Sequence, residues 1–118
     1  MNQWLTEERE RVDALLGLSE LPFAESQPDI LPAELGALDG WRFTTADGQI
    51  EADVYVLDNL PAIEQAIQSL SEASGPVSDT GFPAVSSNGG IVFVVRLLSE
   101  AFHQQALAVA GGLAGEEE

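Results

Sequence analysis

The sequence predicts a small α+β domain in two layers, with a four-stranded antiparallel sheet packed against helices on one face. Two observations carry the prediction: strand-turn-strand patterns around Asp47-Gly48 and around Asn88-Gly89-Gly90, each leading into an amphipathic helix pattern. A length of 118 residues with 45% hydrophobic residues suits one folded domain with one core. The order strand, strand, helix occurs twice, which suggests an internal ββα repeat.

Residues 1–20 are predicted to hold an N-terminal amphipathic helix over 6–16. Thr6 is placed to cap the free amides of its first turn, and Gly17 is placed to end it. Apolar side chains fall on one side of this helix and charged ones on the other, so it should pack against the rest of the chain by one stripe.

Residues 21–40 are predicted to form a proline-rich connector laid over the core. Prolines at 22, 28 and 32 disfavour a long helix or a central strand, whereas the apolar content is too high for a free linker. Pro32 is placed to open a short helical turn.

Residues 41–113 are predicted to form a ββαββα core that begins with a two-residue hairpin turn at Asp47-Gly48. That turn sets Arg42 opposite Asp53, and side chains then alternate between an apolar and a polar face. The apolar face holds Trp41, Phe43, Thr45, Ile50, Ala52, Val54 and Val56. The polar face holds Arg42, Thr44, Gln49, Glu51, Asp53 and Tyr55.

A helix is predicted after the hairpin, capped by Asp58 or Asn59 and ended by Gly75, with Leu60, Ile63, Ile67 and Leu70 on its buried side. A short strand near 82–86 follows. Its Pro83 cannot donate to a strand ladder, which indicates an edge position.

Residues 91–95 read as a central strand, because they are apolar on both faces and rich in branched side chains. The N-terminal helix or the connector is expected to cover its second face.

The last helix is predicted to start at Ser99 and to carry Leu98 on its apolar side. Fraying is expected at Gly111-Gly112, and an acidic tail is expected over 114–118. All segments belong to one domain. The predicted core consists of Trp41, Phe43, Ile50, Val54, Val56, Ile63, Ile67, Leu70, Ile91, Phe93, Val95, Phe102 and Val109.

Composition excludes several functions. With 20 Asp and Glu, four arginines and no lysine, the formal charge is -16, which disfavours direct binding to nucleic acids or anionic membranes. The absence of cysteine excludes disulfides and thiolate chemistry. No apolar stretch is long enough for a membrane span, and no export signal is visible, so a cytoplasmic protein is expected. An exported fragment with its leader removed is the alternative.

No residue pattern points to catalysis, so no catalytic residue, metal site or cofactor is predicted. His103 is the only histidine and is predicted on the polar side of the last helix. The serines lie in no nucleophile motif, and no metal-binding motif is present. An enzyme that uses His103 and carboxylates is kept as a second alternative.

The acidity has three interpretations: a bias towards highly charged surfaces in the whole proteome, a surface that attracts a basic protein, or mimicry of nucleic acid. A well patterned core without a catalytic constellation predicts a non-catalytic protein-interaction or ligand-binding module, and its protein partner is expected to be basic. The alternative is an acidic inhibitor that mimics nucleic acid and binds a basic nucleic-acid-binding protein.

The polar hairpin face is the predicted partner-binding surface, formed by Arg42, Thr44, Glu51, Asp53 and Tyr55. A solvated face held by the Arg42 and Asp53 pair is the competing interpretation. On this register Val54→Asp should unfold the domain and Asp53→Val should be tolerated. The chain is expected to be a monomer or a homodimer paired through the edge strand near Pro83.

Overall fold

The computed structural model describes residues 3–17, 23–28, 31–45, 48–75, 82–88 and 90–114. The elements are α1 (Gln3–Gly17), β1 (Phe23–Ser26), α2 (Pro32–Leu35), β2 (Asp39–Thr45), β3 (Ile50–Val56), α3 (Leu60–Ser74), β4 (Ala84–Asn88), β5 (Ile91–Leu97), a 3-10 turn (Glu100–Phe102) and α4 (His103–Ala114). The predicted α+β class is confirmed. The acidic tail beyond 114 lies outside the described residues.

Within the described residues, the sheet has five antiparallel strands in the order β1-β2-β3-β5-β4. The prediction of four strands missed β1, which lies inside the predicted connector and pairs with β2 at the sheet edge. β1 has only four residues, and prolines at 22 and 28 flank it. Proline next to a strand is tolerated at an edge, so the prolines limit the length of β1 without preventing it.

The predicted hairpin register is confirmed, because Arg42 pairs with Asp53 and the ladder of β2 and β3 keeps that offset along its length. The turn itself differs from the prediction. The Gly48 amide donates to the Thr45 carbonyl at 2.8 Å, so Gly48 is the last residue of the hydrogen-bonded turn. Gly48 has a φ of 74°, a left-handed conformation that glycine adopts without strain. Asp47 lies outside the described residues.

Helices cover both faces of the sheet, and the predicted two-layer arrangement is wrong in this respect. One face packs against α1 and α4, and its buried cluster includes Val12, Phe43, Ile50, Val54, Phe93, Val109 and Leu113. The opposite face packs against α2 and α3, and its buried cluster is Leu35, Tyr55, Leu57, Ala66, Leu70, Val92 and Val94. The strand β5 is apolar on both faces and must be covered on both. Of the two helices that follow the hairpins, α4 covers one face and α3 covers the other.

This division also contradicts the suggested ββα repeat. Strands β3 and β5 are antiparallel neighbours, so a rotation that exchanges the two hairpins would place α3 and α4 on the same face. They lie on opposite faces instead. The two halves therefore share an element order without forming a structural repeat.

Helix α3 begins and ends as predicted. The Asn59 side chain accepts a hydrogen bond from the Ala62 amide at 2.9 Å, and Gly75 follows the last turn. The predicted burial of Leu60 is wrong, since its side chain is 65% exposed. The buried stripe is shifted towards Ala66 and Leu70.

The outer helices differ from the prediction at their ends. Helix α1 starts at Gln3, three residues before the predicted 6–16 segment. The last helix opens with the 3-10 turn and continues through Gly111-Gly112 to Ala114, so the predicted fraying is wrong. Burial of Leu113 against the sheet stabilises this last turn.

Strand β4 lies at the sheet edge, as Pro83 indicates. Two hydrogen bonds connect its end to the helices beside it. The Arg11 Nη2 donates to the Asn88 carbonyl at 2.8 Å, and the Asn88 Nδ2 donates to the Leu113 carbonyl at 3.0 Å. The far end of β4 is therefore held to both α1 and α4.

Candidate interaction surface

Asp53 is the centre of an ion-pair cluster that crosses three neighbouring strands. Arg42 donates from Nε to Oδ1 at 2.7 Å and from Nη2 to Oδ2 at 3.1 Å, a two-point contact with the carboxylate. Arg96 donates from Nη1 to Oδ2 at 2.8 Å. Only 2% of the Asp53 side chain is exposed, so both guanidiniums contact a carboxylate that is almost completely removed from water.

Glu51 completes this arginine-aspartate cluster, with its Oε1 at 3.5 Å from Nη1 of Arg42. Strand register positions all four groups, because Arg42 pairs with Asp53 and Glu51 pairs with Arg96. Two carboxylates and two guanidiniums leave the cluster with no net charge. A cluster without net charge offers little attraction to an outside partner, and removing one of its members would leave a buried charge without its counterpart.

The predicted partner-binding residues are only partly accessible. Tyr55 and Asp53 are 0% and 1% exposed, so the expectation that they point into solvent is wrong. Tyr55 belongs to the buried cluster beneath α2 and α3, although the sequence predicted a solvent-exposed face for it. Arg42, Thr44 and Glu51 are half-buried, and a binding role for them remains a prediction.

A second arginine site lies on the opposite face of the sheet, where Arg9 of α1 reaches over β2 and β1. Its guanidinium carbon is 4.7 Å from the ring centroid of Trp41 and 5.3 Å from that of Phe43. The same guanidinium pairs with Asp13 and with Glu25. The hydrogen bond from Arg9 lowers the pKa of the Glu25 carboxyl below its ordinary value. This site was not predicted from the sequence, because β1 was not predicted.

Each of the four arginines of the chain is held in an ion pair. Arg11 is the fourth, with its Nη1 at 2.8 Å from Glu8, besides its bond to β4. The chain has no lysine and 20 acidic residues, so the acidic side chains greatly outnumber the bases available to neutralise them. Exposed carboxylates outside these arginine pairs are found on every helix layer: Glu7, Glu10, Glu34, Asp58, Glu64, Glu72 and Glu100.

His103, the residue kept for an enzymatic alternative, is half-buried at the start of α4. Its ring meets Phe82 edge-on, with centroids 5.9 Å apart and planes at 86°. This is a packing contact between rings. Within the part of the chain that the structure describes, no group of three or more metal-binding side chains is found, and no helix is long and apolar enough to cross a membrane.

A small open pocket lies between the end of α3 and the start of β4, lined by Ser71, Ser74, Gly75, Pro83 and Val85. Its volume is about 110 Å³, well below the roughly 300 Å³ of a typical site for an organic ligand. The Ser74 Oγ is buried there with no hydrogen-bond partner in the described residues. The space suits water or a small polar group.

No protein-family model, curated protein or solved structure matches this chain.

Proposed function

We propose that this protein is a non-catalytic interaction module whose partner is a basic protein. One observation carries the proposal: every arginine of the chain is held in an intramolecular ion pair, while carboxylates stand exposed on all helix layers. The surface therefore presents negative charge that the protein itself does not neutralise.

A formal charge of -16 on 118 residues produces a field that acts beyond contact distance. Such a field accelerates encounters with a positively charged partner and repels nucleic acids and anionic membranes. Affinity that depends on this field falls as salt is added, because ions screen charges over roughly 10 Å at 0.1 M ionic strength.

The positions of the carboxylates favour general attraction of a basic protein over mimicry of nucleic acid, which would also target a basic protein. Mimicry requires acidic groups along one continuous surface, in place of phosphates. The exposed carboxylates occur on α1 on one side of the sheet and on α2 and α3 on the other. A cytoplasmic location remains a prediction.

The test compares a lysine-rich probe peptide with a glutamate-rich peptide of the same length by calorimetry, at about 20 mM and about 300 mM NaCl. We expect binding of the lysine peptide alone, weakened at least about tenfold by the higher salt. Equal affinity for both peptides, or affinity that does not change with salt, would contradict the proposal.

A matched pair of variants of α3 separates charge from general surface change. Glu64→Gln with Glu72→Gln removes two exposed charges, whereas Gln65→Ala with Gln68→Ala alters exposed neutral residues of the same helix. Only the first pair should weaken binding of the lysine peptide.

A further inference from the structure

We propose that three exposed leucines at the junction of α2 and α3 form the docking surface for a basic amphipathic segment of the partner. This surface, the leucine corner, consists of Leu31, Leu38 and Leu60. The inference rests on the proposed function, since it states where the basic partner binds and that the bound segment carries apolar side chains.

Chain connectivity, one backbone hydrogen bond and the contact of α2 with α3 place the backbones of the three leucines near the junction of these helices. Leu31 directly precedes α2, Leu60 is the first residue of α3, and the two helices are in contact. The Leu38 amide donates to the Val56 carbonyl at 2.8 Å, which holds Leu38 at the end of β3 that leads into α3. Their exposed fractions are 47%, 44% and 65% for Leu31, Leu38 and Leu60.

The segments that carry the leucines are anchored in the core. Leu35 of α2, Leu57 after β3, and Ala66 and Leu70 of α3 belong to one buried cluster. The Leu31 amide donates to Oε2 of Glu34 at 2.8 Å, which fixes the backbone that carries Leu31. Because this backbone is already ordered, binding there requires little additional ordering of the protein.

Carboxylates beside the leucines determine the chemistry of the occupant. Glu64 lies four residues after Leu60, on the same side of α3, and Asp58 lies two residues before it. Glu34 follows Leu31 by three residues. An apolar centre bordered by carboxylates complements a segment that alternates apolar and cationic side chains. A second copy of this lysine-free chain would set carboxylates against carboxylates, so it does not fit.

Single exposed leucines are ordinary on protein surfaces, and the chain supplies two for comparison. Leu98 follows β5 and is 57% exposed, and Leu107 lies on α4 and is 47% exposed. The Leu98 amide bonds to the Gln49 carbonyl at 2.7 Å, at the end of β3 opposite to Leu38. Leu98 and Leu107 are therefore about as exposed as the corner leucines but lie outside the junction of α2 and α3, which makes them suitable controls.

The test uses two synthetic probes: a helical peptide of lysine and leucine with its leucines on one side, and the same peptide with serine in place of leucine. Affinity for both is measured by calorimetry on the full chain and on Leu60→Ser, Leu38→Ser, Leu98→Ser and Leu107→Ser. Loss of one buried leucine contact should lower affinity for the lysine-leucine peptide about tenfold in Leu60→Ser and Leu38→Ser. Leu98→Ser and Leu107→Ser should change it less than about twofold, and thermal unfolding checks that all variants remain folded.

Two failures are distinguishable. Equal effects of the four substitutions, or no effect of Leu60→Ser and Leu38→Ser, would overturn the docking surface while salt-sensitive binding of the lysine-serine peptide still supports a basic partner. Failure of the full chain to bind either peptide at low salt would overturn the proposed function and the docking surface together.

Discussion

The ring of Tyr55 lies against the backbone of Gly40, its cross-strand partner in the β2 and β3 ladder. A Cβ placed on Gly40 would stand 2.5 Å from Cδ1 of Tyr55 and 3.1 Å from Cγ of Pro32. The tyrosine ring therefore occupies the space that a side chain at position 40 would need, between the sheet and α2.

We expect Gly40→Ala to destabilise the protein by about 1–3 kcal/mol, because the Tyr55 ring is completely buried and has no room to move aside. Urea unfolding measures the change. Gly17→Ala is the control, since nothing lies within 4 Å of a Cβ at that position. It should change the free energy of unfolding by less than about 1 kcal/mol, and an equal loss in both variants would refute the packing argument.

Removing the central carboxylate of the arginine-aspartate cluster should be costly. Asp53→Ala leaves Arg42 and Arg96 without their shared buried partner, and we expect a loss of roughly 3 kcal/mol in the free energy of unfolding. We likewise expect Asp53→Val to destabilise. The sequence-based expectation that it is tolerated assumed a carboxylate in solvent, and the structure buries it.

Asp13→Ala is the control for the Asp53 variants. Asp13 also pairs with an arginine, but 56% of its side chain is exposed. Its removal should cost less than about 1 kcal/mol, because exposed ion pairs contribute little. Similar losses for Asp53→Ala and Asp13→Ala in denaturant titrations would argue against a special role for the buried cluster.

The pair of Arg9 and Glu25 should contribute stability that depends on pH. The pKa of Glu25 is lowered from its ordinary 4.5 in the folded protein. Such a carboxyl stabilises the fold above its unfolded-state pKa, and the contribution disappears as pH falls through the folded-state pKa. Because 47% of the Glu25 side chain is exposed, the effect at pH 7 should be at most about 0.5 kcal/mol.

Urea unfolding of Glu25→Gln from pH 7 to about pH 2 tests this, with Glu64→Gln as the control that removes an exposed charge from α3. Glu25→Gln should be less stable than Glu64→Gln at pH 7, and the two should converge in acid. A difference that persists unchanged below the Glu25 pKa would show that the ion pair is not its source.

Pairing of two copies through β4 remains a prediction that light scattering addresses. Two chains of charge -16 repel one another, so any dimer formed through this edge should increase between about 20 mM and about 500 mM NaCl. Ser86→Glu adds a charge to the exposed edge and should reduce that dimer. A monomer at both salt concentrations would rule out edge pairing.

Local signals made much of the fold predictable. Asn59 caps α3 through a bond that spans three residues, and the Asp47-Gly48 segment with its alternating flanks predicts which residues of β2 and β3 face one another. The candidate site was less predictable. The spacing of Leu60 matches the buried stripe of α3 and predicts a place on the buried side of the helix, but its position in the first turn leaves it exposed.

By itself, the sequence determined the register of the first hairpin, the ends of α3, the central place of β5 and the excess of negative charge. Tertiary structure alone decided that α3 and α4 take opposite faces, that β1 adds an edge, and that Tyr55 and Asp53 are buried. The physical reason is the sequence separation of the interacting residues. Caps, turns and alternation depend on residues a few positions apart, whereas burial of a polar residue in a strand depends on helices that are distant in the chain.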